Sequence, residues 1–168
     1  MIIKLFGGIM VFSAGLFWGM YKSGELLQRV KSIRNIKSAL AILESEIVFS
    51  SHYLRFAFER ISKLTVCGEL FSDAADKMDD VGVSKAWRDA VRKNRKKLAL
   101  TEGDTQILEL LTPQLGMSDT NGQSQNIRHI LTLLDAASAE AEEEYSKSAR
   151  LYRSMGILGG LLIVILLV

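Results

Sequence analysis

Between Glu25 and Val48 the apolar residues Leu26, Val30, Ile33, Ile36, Leu40, Leu43 and Ile47 recur at steps of three and four. That spacing lays one stripe along a long amphipathic helix, with Arg29, Arg34, Glu44 and Glu46 off the stripe. A second long stripe, from about Gln123 to Arg153, carries Ile127, Ile130, Leu131, Leu134, Ala137, Ala141, Tyr145 and Leu151. Shorter helices are predicted between them. One covers Leu54 to Val66, with Leu54, Phe58, Ile61 and Leu64 inward and Ser50 or Ser51 as N-cap. Another covers Glu69 to Met78, between Gly68 and Gly82. Ser84 is placed as the cap of a helix to Leu98 with Trp87, Val91 and Leu98 inward. Asp104 is placed as the cap of the next, with Ile107, Leu108, Leu111 and Leu115 inward, Gly116 as the stop and Pro113 near the boundary. Nothing alternates at period two, so no strand is predicted, and one proline and thirteen glycines do not suit a turn-rich β fold.

The ends of the chain follow a different pattern. Leu5 to Tyr21 is a run of 17 residues without a charge, closed by Trp18, Tyr21 and Lys22. As a helix, with Met1 to Ile3 added, it suffices for a hydrocarbon core of ~30 Å. A cleaved signal peptide is the competing reading, but only Lys4 could serve as its basic region and no small-x-small site precedes a polar stretch. Met155 to Val168 is a 14-residue apolar run, short for a span unless Tyr152, Ser154 and the stems of Arg150 and Arg153 extend it. The expected architecture is therefore all-α, a six-helix bundle over 23–153 with transmembrane helices at 1–22 and 154–168. Lys22, Arg29, Lys31, Arg34 and Lys37 follow the first run, and Lys147, Arg150 and Arg153 precede the second. This bias places the middle in the cytoplasm and favours anionic membrane lipid. Gly15 and Gly19, and Gly156 and Gly160 beside Gly159, put small residues four apart, where helix–helix packing is expected.

Charge changes the picture little in total, at +2, and gives no reason to expect nucleic acid as a partner. Its clustering matters more. Lys85, Arg88, Arg92, Lys93, Arg95, Lys96 and Lys97 make one helix strongly basic, either as a solvated face or as a docking surface for an acidic partner or anionic lipid. No aromatic platform interleaves with them, which disfavours single-stranded nucleic acid. Glu140, Glu142, Glu143 and Glu144, with Asp135, form an acidic face open to a basic partner.

Catalytic signatures are absent. No G-x-x-x-x-G-K-[ST] loop, serine elbow or metal-binding helix motif occurs, and His52 and His129 lie near no candidate nucleophile. The lone Cys67 is read as a small buried or half-buried apolar residue. No catalytic residue, metal site or cofactor is expected, and the chain is read as a non-enzyme.

ALAILESEIVFS at 39–50, LGMSD at 115–119 with Gln123, and LYRSMGILGGLLIVILLV at 151–168 resemble stage III sporulation protein AB of endospore-forming bacteria. In one departure, His52 and Tyr53 stand where that family commonly has a Thr-Pro pair. The resemblance marks Leu115, Gly116, Ser118, Asp119 and Gln123 as a family motif. It implies a six-helix cytoplasmic domain similar to that of the type II secretion inner-membrane platform protein. It also implies a place in the mother-cell membrane facing the forespore, beside a secretion-type ATPase (stage III sporulation protein AA) and the ring and channel proteins of one complex. That complex supports late forespore gene expression, and a homo-oligomer is among the assemblies it allows. A different class of function is a small pore or transporter subunit, against which neither apolar run holds an ionisable residue. An enzyme working through carboxylates alone is the third reading.

Overall fold

The computed structural model describes residues 2–49, 54–113, 115–116 and 119–167, the outer helix ends by backbone and a subset of side chains. Among the described residues every regular element is a helix: α1 (Ile2–Phe49), α2 (Leu54–Leu64), α3 (Gly68–Ala75), α4 (Met78–Val81), α5 (Val83–Asn94), α6 (Glu102–Glu109) and α7 (Thr120–Leu167). The all-α expectation holds. The chain divides into two compact units, one of Met1–Val30 with Glu140–Val168, the other of Lys31–Ala139.

The second unit is built on an aromatic cluster. Phe58 of α2, Phe71 of α3 and Trp87 of α5 are fully buried, with ring centroids 5.3, 5.5 and 5.7 Å apart. These are separations at which aromatic quadrupoles attract in tilted and edge-on geometries. Trp87 brings a polar N–H into this core, and the indole donates it to the Leu108 carbonyl of α6 at 2.8 Å. Ile61, Leu70, Val91, Leu108 and Leu111 are buried as well. The stripes of the long helices are buried through Ile33, Ile36, Leu40 and Leu43 on α1 and Ile127, Ile130 and Leu134 on α7, whereas Leu151, expected on the second stripe, is 58% exposed. Within this unit α1 and α7 run antiparallel. Lys37 pairs with Asp135, while Glu44, further along α1, accepts from Arg128 and Ser124, earlier on α7.

The other unit is also an antiparallel pair of α1 and α7 segments. Trp18 meets Tyr152 edge to face at a centroid distance of 6.1 Å, and Arg29 bonds Glu144 at 2.8 Å. Arg29 corrects its sequence assignment. It is 5% exposed rather than on the solvent side, and a buried guanidinium requires the carboxylates it finds in Glu144 and Glu140, the latter at 3.7 Å. The two membrane-spanning expectations fall largely on side chains outside the described residues. Among the described residues no helix is long and apolar enough to cross a membrane.

Local boundaries differ from expectation for identifiable reasons. Ser84 does not cap α5. Its hydroxyl donates to the Thr112 carbonyl instead, and the helix begins at Val83 after Gly82. Thr101, not Asp104, caps α6. Its Oγ1 accepts from the Asp104 amide while the Asp104 carboxylate accepts from the Thr101 amide, a reciprocal capping box. The helix expected over Glu69–Met78 breaks at Asp76 because its last turn tightens, the Lys77 amide donating to the Ala74 carbonyl, and α4 follows as a separate turn. Leu64, expected inward, is 61% exposed, since α2 ends there. Gly68 is required by contact: a Cβ would stand 1.9 Å from the Ser62 carbonyl oxygen. Ser50, Ser51, His52 and Tyr53 lie outside the described residues.

Two substitutions test this account. Trp87→Phe removes the donor to Leu108 and leaves a void in the cluster, so urea denaturation should show a loss of roughly 2–3 kcal/mol. Ala99, which ends the turns after α5 at φ 52°, occupies the left-handed region that L side chains resist. Ala99→Gly should therefore raise the denaturation midpoint, by about 0.5–1 kcal/mol of stability.

Candidate partner-docking surface

α5 carries basic residues outward because its apolar positions Ala86, Trp87, Ala90 and Val91 are all drawn into the core. The helix ends at Asn94, four residues earlier than expected, so Arg95, Lys96 and Lys97 lie in the turns that follow. Asn94 is itself buried, donating to the Ala90 carbonyl at 3.0 Å and to Asp73 of α3 at 2.7 Å.

The structure divides the basic residues into two sets. Arg92 grips Glu109 of α6 through two bonds of 2.7 and 3.2 Å, Lys93 reaches Asp73 at 2.7 Å, and Arg95 and Lys97 pair with Glu102 and Glu69. These four tie α5 and its following turns to α3 and α6. Lys85, Arg88 and Lys96 are exposed and make no ion pair among the described residues. Lys85 and Arg88 stand one turn apart on α5. The candidate surface thus narrows from a whole basic helix to three cations.

The acidic face of α7 is also committed within the chain. Glu140 and Glu144 hold Arg29, Glu143 pairs with Lys147, and Asp135 pairs with Lys37. It is less open to a basic partner than the sequence implies. Glu44, under 20% exposed at its side chain, is pushed up by burial, but the bonds from Arg128 and Ser124 outweigh this and hold its carboxyl below the usual range.

The family-motif residues form the turn into α7. Leu115 is buried, and Gly116 adopts φ 83° and donates its amide to Gln123 Oε1 at 3.3 Å. Any side chain at 116 would be strained by that φ and would press on Val83 at 3.3 Å. The Asp119 carboxylate accepts from the Asn121 amide at 3.1 Å, capping α7. Ser118 lies outside the described residues. Of the glycines expected at helix contacts, Gly19 is buried, whereas the side-chain surroundings of Gly15, Gly156 and Gly160 lie outside them. Gly159 is exposed, with nothing within 4 Å of an added Cβ. Cys67 is buried, and burial pushes its thiol pKa up, consistent with an apolar packing role. His129 is exposed on α7, and no group of three His, Cys, Asp or Glu side chains among the described residues could hold a metal.

Asp73 is raised by burial, but bonds from Lys93 and Asn94 prevail and hold its carboxyl below the ordinary aspartate value. A carboxylate with a depressed folded pKa contributes stability above its unfolded pKa of about 3.9, and loses it as pH falls through the folded value. Stability measured by urea denaturation should therefore fall as pH drops below about 4, with a shallower fall in Asp73→Asn.

The family model of stage III sporulation protein AB matches residues 4–168. Stage III sporulation protein AB of Bacillus subtilis (strain 168) is 30% identical over 171 residues, covering 99% of each chain. A solved structure of a stage III sporulation protein AB superposes with a TM-score of 0.65 at 30% identity, covering 70% of this chain and 96% of that one. With the family model spanning nearly its whole length, the chain belongs to the stage III sporulation protein AB family.

Proposed function

We propose that the chain is a non-catalytic membrane platform of the mother-cell-to-forespore channel complex in endospore formation. In this reading it docks a secretion-type ATPase on its cytoplasmic helical domain and takes part in late forespore gene expression. Family membership carries a role in stage III of sporulation. The finer reading rests chiefly on one observation: among the described residues Lys85, Arg88 and Lys96 are exposed and make no ion pair, while their neighbours are spent inside the fold. Unpaired cations on a helical scaffold suit an acidic protein surface, steering its approach and fixing its register.

Membrane attachment is part of the same proposal. The apolar run Leu5 to Tyr21 lies in α1, and residues 155–167 of the second run lie in α7. The Trp18–Tyr152 pair, with Lys22 on α1 nearby in sequence, matches the aromatic and basic residues that collect at a membrane interface. The platform reading places 1–22 and 154–168 in the mother-cell membrane facing the forespore, with 23–153 in the cytoplasm and ring and channel proteins as further partners. The pore reading gains nothing comparable, because the ionisable residues of α1 and α7 that are seen paired, such as Arg29 with Glu144, satisfy each other.

The test is co-purification of the detergent-solubilised full chain with the mother-cell ATPase. The triple change Lys85→Glu, Arg88→Glu, Lys96→Glu should reduce recovery roughly tenfold or more while circular dichroism stays unchanged. Unchanged recovery would remove docking from this surface.

A further inference from the structure

The unit of Met1–Val30 with Glu140–Val168 is built the reverse of a water-soluble helix pair. Among its described side chains the large apolar ones Phe17, Met20, Leu151 and Met155 are exposed, and Leu26, Leu27 and Tyr145 are half-buried. Apart from Val30, what is buried is small or polar: Gly19, Ser23, Ala141 and Arg29. Apolar burial therefore gives α1 and α7 little mutual adhesion here. An ion set crosses between the helices instead. Arg29, 6% exposed at its side chain, donates to Glu144 at 2.8 Å and stands 3.7 Å from Glu140, one turn away on α7.

The two sides of this ion set differ in their access to water. The guanidinium is enclosed, whereas the side chains of Glu140 and Glu144 are 73% and 46% exposed. The neighbouring carboxylates have cations of their own: Glu25, one turn before Arg29 on α1, is engaged by Lys22 at 2.9 Å, and Glu143 by Lys147. Removing one partner of a buried ion pair is costly, because it leaves an uncompensated charge where water is scarce. A guanidinium deprived of its carboxylates regains hydration when its helix moves off the other. The pairing of α1 with α7 in this unit thus hangs on two residues that solvent can reach. We propose that Arg29, Glu140 and Glu144 form a charge-dependent clasp, which holds α1 against α7 while the two carboxylates serve Arg29 and lets the helices part when they do not. Arg29 is then a positioning residue, deciding whether the helix faces that carry Trp18 and Tyr152 meet.

The test is a distance measured across the pair in the full chain, held in phosphatidylcholine nanodiscs. Spin labels are placed on Met20→Cys and Leu151→Cys, both exposed positions, in a Cys67→Ala background. The parent chain should show one close population. Glu140→Ala with Glu144→Ala should reduce that population about tenfold or more, because the guanidinium is left buried without them. Adding Arg29→Met, an apolar side chain in place of the cation, should restore the close population, since no buried charge then needs hydration. Glu143→Ala, which removes the partner of Lys147 and leaves Arg29 its own, should leave the distance unchanged. Circular dichroism should keep its helical signal in all of these variants. A close population that persists in the double-alanine chain would overturn the proposal. So would an open pair that Arg29→Met does not close, or an equal opening in Glu143→Ala.

Discussion

Helices of eight to twelve residues do not hold themselves together in water, because nucleation costs more than so few hydrogen bonds return. α2, α3, α5 and α6 are all of this kind, with 11, 8, 12 and 8 residues. What makes them helices is the Phe58–Phe71–Trp87 contact, which takes one ring from each of three of them and reaches the fourth through the Trp87 N–H on Leu108. That bond satisfies the polar N–H that the cluster buries, which left unpaired would cost about 1–3 kcal/mol. The placement of every basic residue on α5 follows, since the face opposite Trp87 is the one left to solvent.

Charge is arranged on top of that constraint. Where a cation lies close to another helix, it has a carboxylate: Arg92 on Glu109, Lys93 on Asp73, Arg29 on Glu144. Arg29 is buried and needs its carboxylates, whereas solvent screens the exposed pairs of Arg92 and Lys93, so they select geometry more than they add stability. Their functional consequence is subtraction. A cation already bound within the fold meets a partner only by giving up its carboxylate, whereas Lys85, Arg88 and Lys96 meet one without rearrangement. Changing Lys93 or Arg95 would disturb the domain and the surface together. Changing the unpaired three disturbs the surface alone.

Much of the fold was legible because periodicity is a direct consequence of burial. The α1 stripe from Val30 to Leu43 and the α7 stripe from Ile127 to Ala141 are buried nearly residue for residue. Helix ends were less so. Gly116 was expected as the stop of α6, but that helix ends at Glu109, and the φ of 83° places Gly116 in the turn before α7. Thr101 and Asp104 both suit an N-cap, and only the reciprocal bond between them shows that Asp104 sits three residues inside. Arg29 was misplaced because a local pattern assigns charge to water and cannot anticipate Glu140 and Glu144, more than a hundred residues away. Leu64 failed for the opposite reason, its periodic position lying at a helix end where no neighbour covers it.

The same distinction explains the basic surface. A basic helix is contiguous in sequence, so its existence could be read directly. Which of its cations are free could not, since Asp73, Glu102 and Glu109 reach them from other helices. A cleft lined by Phe56, Met78, Val83 and Gly116 is spread over four separate segments, so no local pattern marks it. Gly116 was read from the local pattern as a helix stop, yet a Cβ there would also press on Val83 at 3.3 Å, a second reason for glycine at that position. Dihedral demand and steric clearance act on the same atom, the missing Cβ. A residue chosen for the turn therefore also clears the space beside Val83, where α5 begins.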